Sequence, residues 1–355
     1  MAPQRRRAAV VGTGLIGGSI GMALRHDGWH VAGSDRDESR AARALELGAL
    51  DVVGVDPDAS VTFVATPVRA VAEAARSALA RSGGLVTDVG SVKSSIVEAV
   101  GDPRFVGGHP MAGSEQEGVE GASADLFEGA VWVLTPTAVT SDTAYADVAA
   151  IVRSLGAEVV GLPPDRHDAL VAVVSHVPHL TAATLMRLAD ERSEDHRALL
   201  RLAAGGFRDM TRIAAGHPGI WPDICSENRA AIVESLDHLV TALTEMREVV
   251  AAGQRDELLA VLEQARAARV NLPARISRPE DLCEVRVPVP DRPGVLAEVT
   301  TLASELGVDI ADLEIAHSSE GDRGVLILLI ESSRADLLRG GLVARGFRPA
   351  VQALE

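Results

Sequence analysis

The feature that most limits what this chain can fold into is the spacing of Gly12, Gly14 and Gly17 in Val10-Val11-Gly12-Thr13-Gly14-Leu15-Ile16-Gly17. The run follows an apolar β-branched stretch and opens a helical period, the strand–turn–helix setting in which G-x-G-x-x-G cradles a dinucleotide. Gly12 permits the tight turn, Gly14 lets the backbone approach a pyrophosphate, and Gly17 lets the helix lie close on the strand. Backbone N–H groups from Thr13, Leu15 and Ile16 at the helix start are then free for phosphate oxygens. Asp35 closes the second strand about 20 residues on, where an acid bonds the ribose 2′-hydroxyl. Its charge favours NAD. The neighbouring guanidinium of Arg36 is the kind of group that accommodates a 2′-phosphate, so NADP stays open.

The alternation continues beyond the fingerprint. Ala8–Val11, His30–Ser34, Thr62–Ala65, Leu85–Val89, Phe105–Gly107 and Val131–Leu134 read as strands, with Leu15–Arg25, Arg36–Leu47 and Ala70–Ala80 as helices between them. This predicts an α/β fold over residues 1–162, a Rossmann-type doubly wound parallel sheet covered on both faces. Aromatics make up only 3% of the 355 residues, so Ala, Val, Leu and Ile must fill the interior. The pattern changes at Pro163-Pro164. Residues 163–275 hold hardly a strand candidate, and helices apolar over more than one face predict an all-helical substrate domain that pairs two copies into a homodimer. Residues 280–355 return to strands. Leu282–Val289, Val308–Ala316, Val325–Ile330 and Phe347–Ala353, with helices at Val295–Leu306 and Arg334–Arg345, give the βαββαβ order of a ferredoxin-like split unit.

A formal charge of −16, with no basic run beyond Arg5-Arg6-Arg7, argues against a nucleic-acid partner. An anionic substrate must then be gripped by particular arginines, because the general field repels it. Cys225 and Cys283 stand far apart, form no metal motif or disulfide framework, and match a reducing cytoplasm. The opening arginines and apolar stretch imitate a secretion signal, but that stretch is the glycine fingerprint, and no membrane-spanning segment is expected after it. His176 and His179 lack a third ligand at metal spacing, so no metal is expected.

Ligands of doubly wound sheets collect beyond the carboxyl ends of the strands. Thr66-Pro67 follows the third strand, Ser91 and Lys93 the fourth, and Gly107-Gly108-His109-Pro110-Met111-Ala112-Gly113-Ser114-Glu115 the fifth. Flanked by small residues and a proline, His109 reads as an accessible ring on a rigid loop. A histidine near neutral pKa suits removal of an alcohol proton as hydride leaves carbon; a loop histidine tied to backbone fits the pattern equally. Lys93 is the only lysine in the chain, either a functional ammonium or a chance survivor on a helix. Arg208 and Arg212, four apart, share a helix face. They either grip substrate carboxylates bidentately or make ordinary salt bridges. Pro178 is expected to kink its helix beside a cleft.

The stretches VVGTGLIGGSIG, VTDVGSVK, FVGGHPMAGSE, HDALVAVVSHVPH, GGFRDMTRIA and WPDI run in one order from Val10 to Ile224, and together they resemble the prephenate/arogenate dehydrogenase family. The tail segment DRPGVLAEVTTLASELGVDI, in its βαββαβ setting, resembles an ACT domain, a module that commonly binds amino acids. The resemblance implies an NAD(P)-dependent oxidative decarboxylation of a small dicarboxylate on the route to tyrosine. It implies His109 as the group that bonds and deprotonates the ring hydroxyl, with Ser91 supporting that hydroxyl or the nicotinamide. Arg212 would hold a substrate carboxylate with help from Arg208, His179 would line the pocket, and Ser114 and Glu115 would belong to the same site. Glu115 could meet the ammonium by which arogenate differs from prephenate. In the tail, Asp291, Arg292, Gly294 and Val295 would take an aromatic amino acid, with Asp309 and Ile310 of a second copy completing the pocket. A β-hydroxy-acid dehydrogenase would share the fingerprint and the helical half but not GGHPMAGSE. A dinucleotide-sensing regulator would need a DNA- or partner-binding element that the sequence does not offer.

Overall fold

The structure is a computed structural model that describes residues 5–113, 116, 118–193, 202–271, 282–290, 292–317 and 323–353. Ser114, Glu115, Asp291 and the boundary expected between 275 and 280 lie outside the described residues. The chain divides into two compact units, 1–260 and 261–355.

In the first unit, strands β1 (Arg7–Val11), β2 (His30–Ser34), β3 (Val52–Val53), β4 (Val61–Val64), β5 (Leu85–Asp88), β6 (Phe105–Pro110), β7 (Val131–Thr135) and β8 (Glu158–Gly161) form one sheet. Helices α1 (Leu15–His26), α2 (Glu38–Glu46), α3 (Val68–Arg81), α4 (Ser94–Val100) and α5 (Asp142–Ser154) connect them. The strand order is β3-β2-β1-β4-β5-β6-β7-β8, so the winding reverses between β1 and β4. That reversal opens the crevice where such sheets bind ligands. The core is mainly aliphatic, with Val10, Ile20, Leu24, Val31 and Leu50 packed around the few aromatics, Trp29, Phe63, Phe127 and Trp132.

The sheet departs from the all-parallel expectation at one pair. β6 and β7 run antiparallel, with His109 opposite Val133. A parallel pair needs a long crossover, usually a helix; here the chain returns directly through a connection whose described part holds one 3₁₀ turn, Val119–Gly121. β7 and β8, joined across α5, are parallel again. β3 and β8 are edge strands beyond those expected, and β3 is only two residues long, too short to leave a periodic signal.

The remainder of this unit is helical: α6 (Pro164–Val171), α7 (Val177–Ser193), α8 (Gly205–Thr211), α9 (Trp221–Glu227), α10 (Arg229–Ala251) and α11 (Arg255–Val270), whose end belongs to the second unit. Between α6 and α7 the helix widens into a π turn, Ala172–His176, closed by the Val177 N–H on the Ala172 carbonyl. Pro178, with no N–H to give, follows at once, so the expected kink is a π bulge just ahead of the proline. Contrary to expectation, Pro164–Arg192 is long and apolar enough for a membrane span by length and mean hydropathy, 1.5. Its Ala172 is nevertheless fully buried against Val92, Ile224 and Ile232. The segment also carries His167, Asp168, His176 and His179, residue types that lipid-facing surfaces exclude.

The second unit contains β9 (Leu282–Pro290), α12 (Val295–Glu305), β10 (Ile310–His317), β11 (Arg323–Glu331), α13 (Ala335–Ala344) and β12 (Ala350–Ala353). The sheet order is β10-β11-β9-β12, antiparallel throughout. Along β9, Val285, Val287 and Val289 are buried while Arg286 and Pro288 are exposed. That alternation turns one face toward Val299 and Leu302 of α12 and Leu338 and Leu342 of α13.

One buried ion pair braces the first sheet. β5 and β6 pair only through Val86–Phe105 and Thr87–Val106. Beyond that register, the Asp88 carboxylate accepts the Gly108 N–H at 3.1 Å, and Lys93 Nζ donates to the Gly108 carbonyl at 2.8 Å. Lys93 and Asp88 also touch each other, and both side chains are fully buried. Side chains thus replace ladder bonds at the residue before His109. A Cβ on Gly108 would stand 2.6 Å from the Asp88 carbonyl oxygen, so glycine is what lets β6 come this close. The lone lysine is therefore a structural brace. Lys93→Met, which leaves Asp88 buried without its counter-charge, should lose about 3–5 kcal/mol in urea unfolding. Adding Asp88→Asn, which still accepts the Gly108 N–H, should restore part of that loss. Unfolding of Lys93→Met at the parent midpoint would contradict the brace.

Candidate active site

Strands β1, β4, β5 and β6 are parallel neighbours. Their carboxyl ends therefore set Gly12, Thr66, Ser91 and His109 along one edge of the sheet in that order.

At the β1 end the glycines divide their tasks. A Cβ on Gly12 (φ +93°) would stand 2.4 Å from the Ala65 carbonyl oxygen, and one on Gly17 would stand 1.9 Å from that of Gly12. Around Gly14 nothing lies within 4 Å, so this backbone faces open space. Helix α1 starts at Leu15 with no side-chain cap, which leaves the first-turn N–H groups of Leu15 and Ile16 for a ligand. Thr13 differs from expectation, since its N–H is already spent on Asp35 Oδ2 at 2.8 Å. Asp35 Oδ1 accepts the Asp37 N–H at 3.0 Å, so this acid ties the glycine loop to the end of β2. The buried Thr66 hydroxyl has no partner among the described residues, and Pro67 caps α3. An open glycine cradle, an uncapped helix start and an orphaned hydroxyl fit a dinucleotide. A cavity of about 310 Å³ beside α3, bordered by Val11, Ser34, Val55, Ala70 and Ala74, adjoins this half and contains none of the histidines.

At the β6 end, His109 is the penultimate strand residue and half-buried, not on a loop as expected, because the pairing with β7 extends the strand to Pro110. Its Nδ1 lies 2.8 Å from His167 Nε2. The fully buried His167 turns its Nδ1 to Asp168 Oδ1, also at 2.8 Å. The Asp168 carboxylate accepts the N–H groups of Lys93 and Ser94 at the start of α4, each at 2.8 Å. Its backbone carbonyl accepts Asn228 Nδ2–H at 2.8 Å. Asn228 also approaches His176 Nδ1 at 3.3 Å. An amide nitrogen can only donate there, so the His176 hydrogen sits on Nε2, which is buried without a partner among the described residues. His179 stacks on Trp221 with ring centroids 3.7 Å apart.

The electrostatics follow from this burial. Desolvation drives His109 well below the ordinary imidazole value, helped by His167, Lys93 and His176 and opposed by Asp168. His176 is pushed down to about 4, chiefly by burial. Burial also lowers His179. For Asp168, burial acts upward, but the hydrogen bonds from His167, Ser94 and Lys93 overcome it and hold the carboxyl below its usual value. At neutral pH the cluster is an ionised carboxylate feeding a chain of imidazoles that ends on His109.

The arginines do not lie on one continuous α-helix. Helix α8 ends at Thr211, whose hydroxyl bonds back to the Phe207 carbonyl at 2.7 Å, and Arg212 opens a separate 3₁₀ turn, Arg212–Ala215. The tighter winding breaks the four-residue repeat on which the expectation rested. Both side chains are exposed, and Arg208 Nε donates to the Ala203 carbonyl at 3.2 Å. Gly216, which closes the Arg212 turn, lies against His179: a Cβ there would stand 3.8 Å from His179 Cε1. Ser91 is half-buried between Gly90 and Val92. In the second unit, Arg292 pairs with Glu298 at 2.6 Å beside Gly294 and Val295. Strand register puts Val289 beside Gly324, and Ile310 beside Ile330 at the far end of the sheet. The two halves of the expected effector site therefore stand apart within one chain.

Residues 20–161 match the family model of the prephenate dehydrogenase nucleotide-binding domain, and residues 163–264 that of the prephenate dehydrogenase dimerization domain. This chain belongs to the prephenate dehydrogenase family. It is 34% identical over 341 residues to the prephenate dehydrogenase of Bacillus subtilis, which covers 91% of each chain. Among solved structures, prephenate dehydrogenase from A. aeolicus in complex with hydroxyphenyl propionate and NAD+ superposes with a TM-score of 0.72 at 30% identity, covering 77% of this chain and all of that one. Synechocystis arogenate dehydrogenase gives a TM-score of 0.65 at 31% identity, over 74% of this chain and 98% of its own.

Three residues of the cluster in this prephenate dehydrogenase relative escaped the sequence reading, His167, Asp168 and Asn228, and His176 was weighed there only as a metal ligand. A signal existed for two of them. Asp168 opens onto a long apolar run, residues 169–174, where a buried acid needs partners, and His167 is adjacent. Asn228 left none, since only the fold brings it to Asp168.

The neutral imidazoles make stability depend on pH. An unfolded histidine titrates near about 6.5, so below that pH the unfolded chain binds protons that folded His109 and His176 refuse. Stability is therefore complete above about 6.5 and falls as pH drops toward about 4, where His176 itself titrates. Thermal melts across this range should show a falling Tm with a shallower slope in His176→Gln. A Tm independent of pH in both would contradict neutral burial.

Proposed function

We propose that this protein oxidises prephenate with NAD and releases the ring carboxylate as CO2, giving 4-hydroxyphenylpyruvate for tyrosine synthesis in the cytoplasm. Membership of the family along 91% of the chain carries this reading, and a half-buried imidazole at a sheet edge shared with a dinucleotide cradle supports it. NAD, when bound, accepts the hydride from the ring carbinol carbon. His109 bonds the ring hydroxyl and receives its proton as the hydride leaves, and Ser91, one strand end away, orients that hydroxyl or the nicotinamide. Breaking the bond to the ring carboxylate then aromatises the ring and makes the step effectively irreversible. Arg212, assisted by Arg208, takes the substrate carboxylates, His179 lines the pocket on its Trp221 support, and Ser114 and Glu115 belong to the same site. Gly12, Thr13, Gly14, Leu15, Ile16, Gly17, Thr66 and Pro67 form the dinucleotide cradle, and Asp35 serves the ribose.

We read the chain as a dinucleotide-binding domain (1–162), a helical substrate and dimerisation domain (163–275) and an ACT-like regulatory domain (280–355). On α10, Val233, Val240, Leu243 and Val250 follow a helical repeat and are 49–60% exposed, a stripe suited to pairing two copies. An aromatic amino acid would then bind between two tails, at Asp291, Arg292, Gly294 and Val295 of one and Asp309 and Ile310 of the other.

Formation of NADH or NADPH with prephenate, arogenate and a β-hydroxy acid tests the function. Prephenate with NAD should turn over fastest; turnover of the β-hydroxy acid alone would overthrow the reading. His109→Asn should lower kcat by about 10²–10⁴ while NAD still binds. Arg212→Ala should raise KM by the loss of a charge-assisted bond, about 1.5–3 kcal/mol. Tyrosine or another aromatic amino acid should inhibit the full chain and raise its Tm with concentration; the absence of both effects would leave the tail a purely structural role.

A further inference from the structure

We infer that His167 and Asp168 are positioning residues that hold His109 in the tautomer whose free lone pair is on Nε2, the nitrogen left for a substrate hydroxyl. The inference rests on His109 being the base, as proposed above, but its evidence is the order of donors and acceptors along a three-residue chain.

With one hydrogen on each ring, the chain has one self-consistent order. The Asp168 carboxylate already takes two backbone N–H groups, from Lys93 and Ser94, neither of which titrates. An ionised carboxylate only accepts, so the His167 Nδ1 that faces it at 2.8 Å carries a hydrogen. His167 Nε2 is then bare, and the His109 Nδ1 at 2.8 Å donates to it. His109 spends its one hydrogen on Nδ1, which leaves Nε2 bare. The reversed order would turn a bare His167 Nδ1 toward the carboxylate and put the hydrogen of His109 on Nε2, where it blocks proton uptake. It would set two acceptors face to face around a ring that is 0% exposed, the kind of unmet buried group that costs most.

The surroundings show why the base needs this support. The titratable and charged groups acting on His109 are Lys93 at the start of α4, His167 and Asp168 of α6, and His176 of the π turn; Lys93 is itself paired with Asp88 of β5. Of those acting on His109, Asp168 is the one that favours a cation there. Proton uptake from the substrate makes His109 an imidazolium, and the carboxylate reaches it through His167 while staying out of contact with it. Neither positioning residue needs to touch substrate.

Nitrogen-15 NMR of the full-length, histidine-labelled protein with NAD at neutral pH reads the tautomer directly. The His109 signals, identified by their loss in His109→Asn, should show a hydrogen on Nδ1 and a bare Nε2. A hydrogen on Nε2 would overturn the inference. Kinetics separates positioning from packing. His167→Gln keeps an acceptor for His109 and a donor for Asp168, and its kcat should stay within about tenfold of the parent; His167→Phe removes both, and its kcat should fall by about 10²–10⁴ with KM unchanged. Equal losses in the two folded variants, or none in either, would overturn the inference. Asp168→Asn keeps an acceptor but no charge, and should move the acidic limb of kcat/KM to lower pH. A lowered Tm with an unmoved limb would reduce Asp168 to packing. If a variant fails to fold, the spectrum of the parent decides. Parent-like kcat in His109→Asn would instead sink the base assignment, a failure that the NMR result neither causes nor hides.

Discussion

The carboxylate of Asp168 is where the two halves of the first unit become one site. It belongs to α6 yet accepts the first N–H groups of α4, so the helical half is tied to a strand–helix junction of the sheet. Its other bond goes to His167 and onward to His109. Its main-chain carbonyl holds Asn228, which in turn approaches His176. Burying an ionised carboxylate is tolerable only with such a complete set of donors, and each donor is a piece of the site that becomes fixed in return. The apolar packing of Val92 against Ala172, Ile224 and Ile232 supports the same junction from behind.

The second constraint is the strand end that carries His109. A parallel ladder between β5 and β6 would have run on past Thr87, but side chains take over there. Asp88 and Lys93 bond both polar groups of the Gly108 peptide unit. Antiparallel pairing with β7 then holds His109 from the other side. His109 is thus set on a strand clamped at both edges, a more rigid mount than the loop that its flanking glycines suggest. The same lysine that braces the strand adds positive potential beside the imidazole, a smaller contribution to its lowered proton affinity than burial makes.

How much of this was legible in the sequence depends on how local each cause is. The glycine turn and the main strands were readable because neighbours in sequence produce them. The βαββαβ order of the tail was readable from alternation such as that of Val285, Val287 and Val289. The antiparallel β6–β7 pair was not, since it follows from the missing crossover helix and leaves no mark on strand composition. Lys93 stood out by number, but its purpose depends on Asp88 and Gly108 across the sheet. The helix end between Arg208 and Arg212 was not readable either, because their four-residue interval carries no sign that the winding tightens at Arg212. Asp168 and His167 sat inside a quoted motif without a role, because their partners are on α4 and β6.

The central claim is that a hydride leaves a ring carbinol carbon at this edge of the sheet while the ring carboxylate is expelled. Its most direct measurement uses prephenate carrying deuterium at the carbinol carbon, with mass spectrometry of the dinucleotide and quantitation of CO2. The account predicts one deuterium in each NADH formed and one CO2 for each NADH. NADH without deuterium, or reduced cofactor accumulating without CO2, would contradict it.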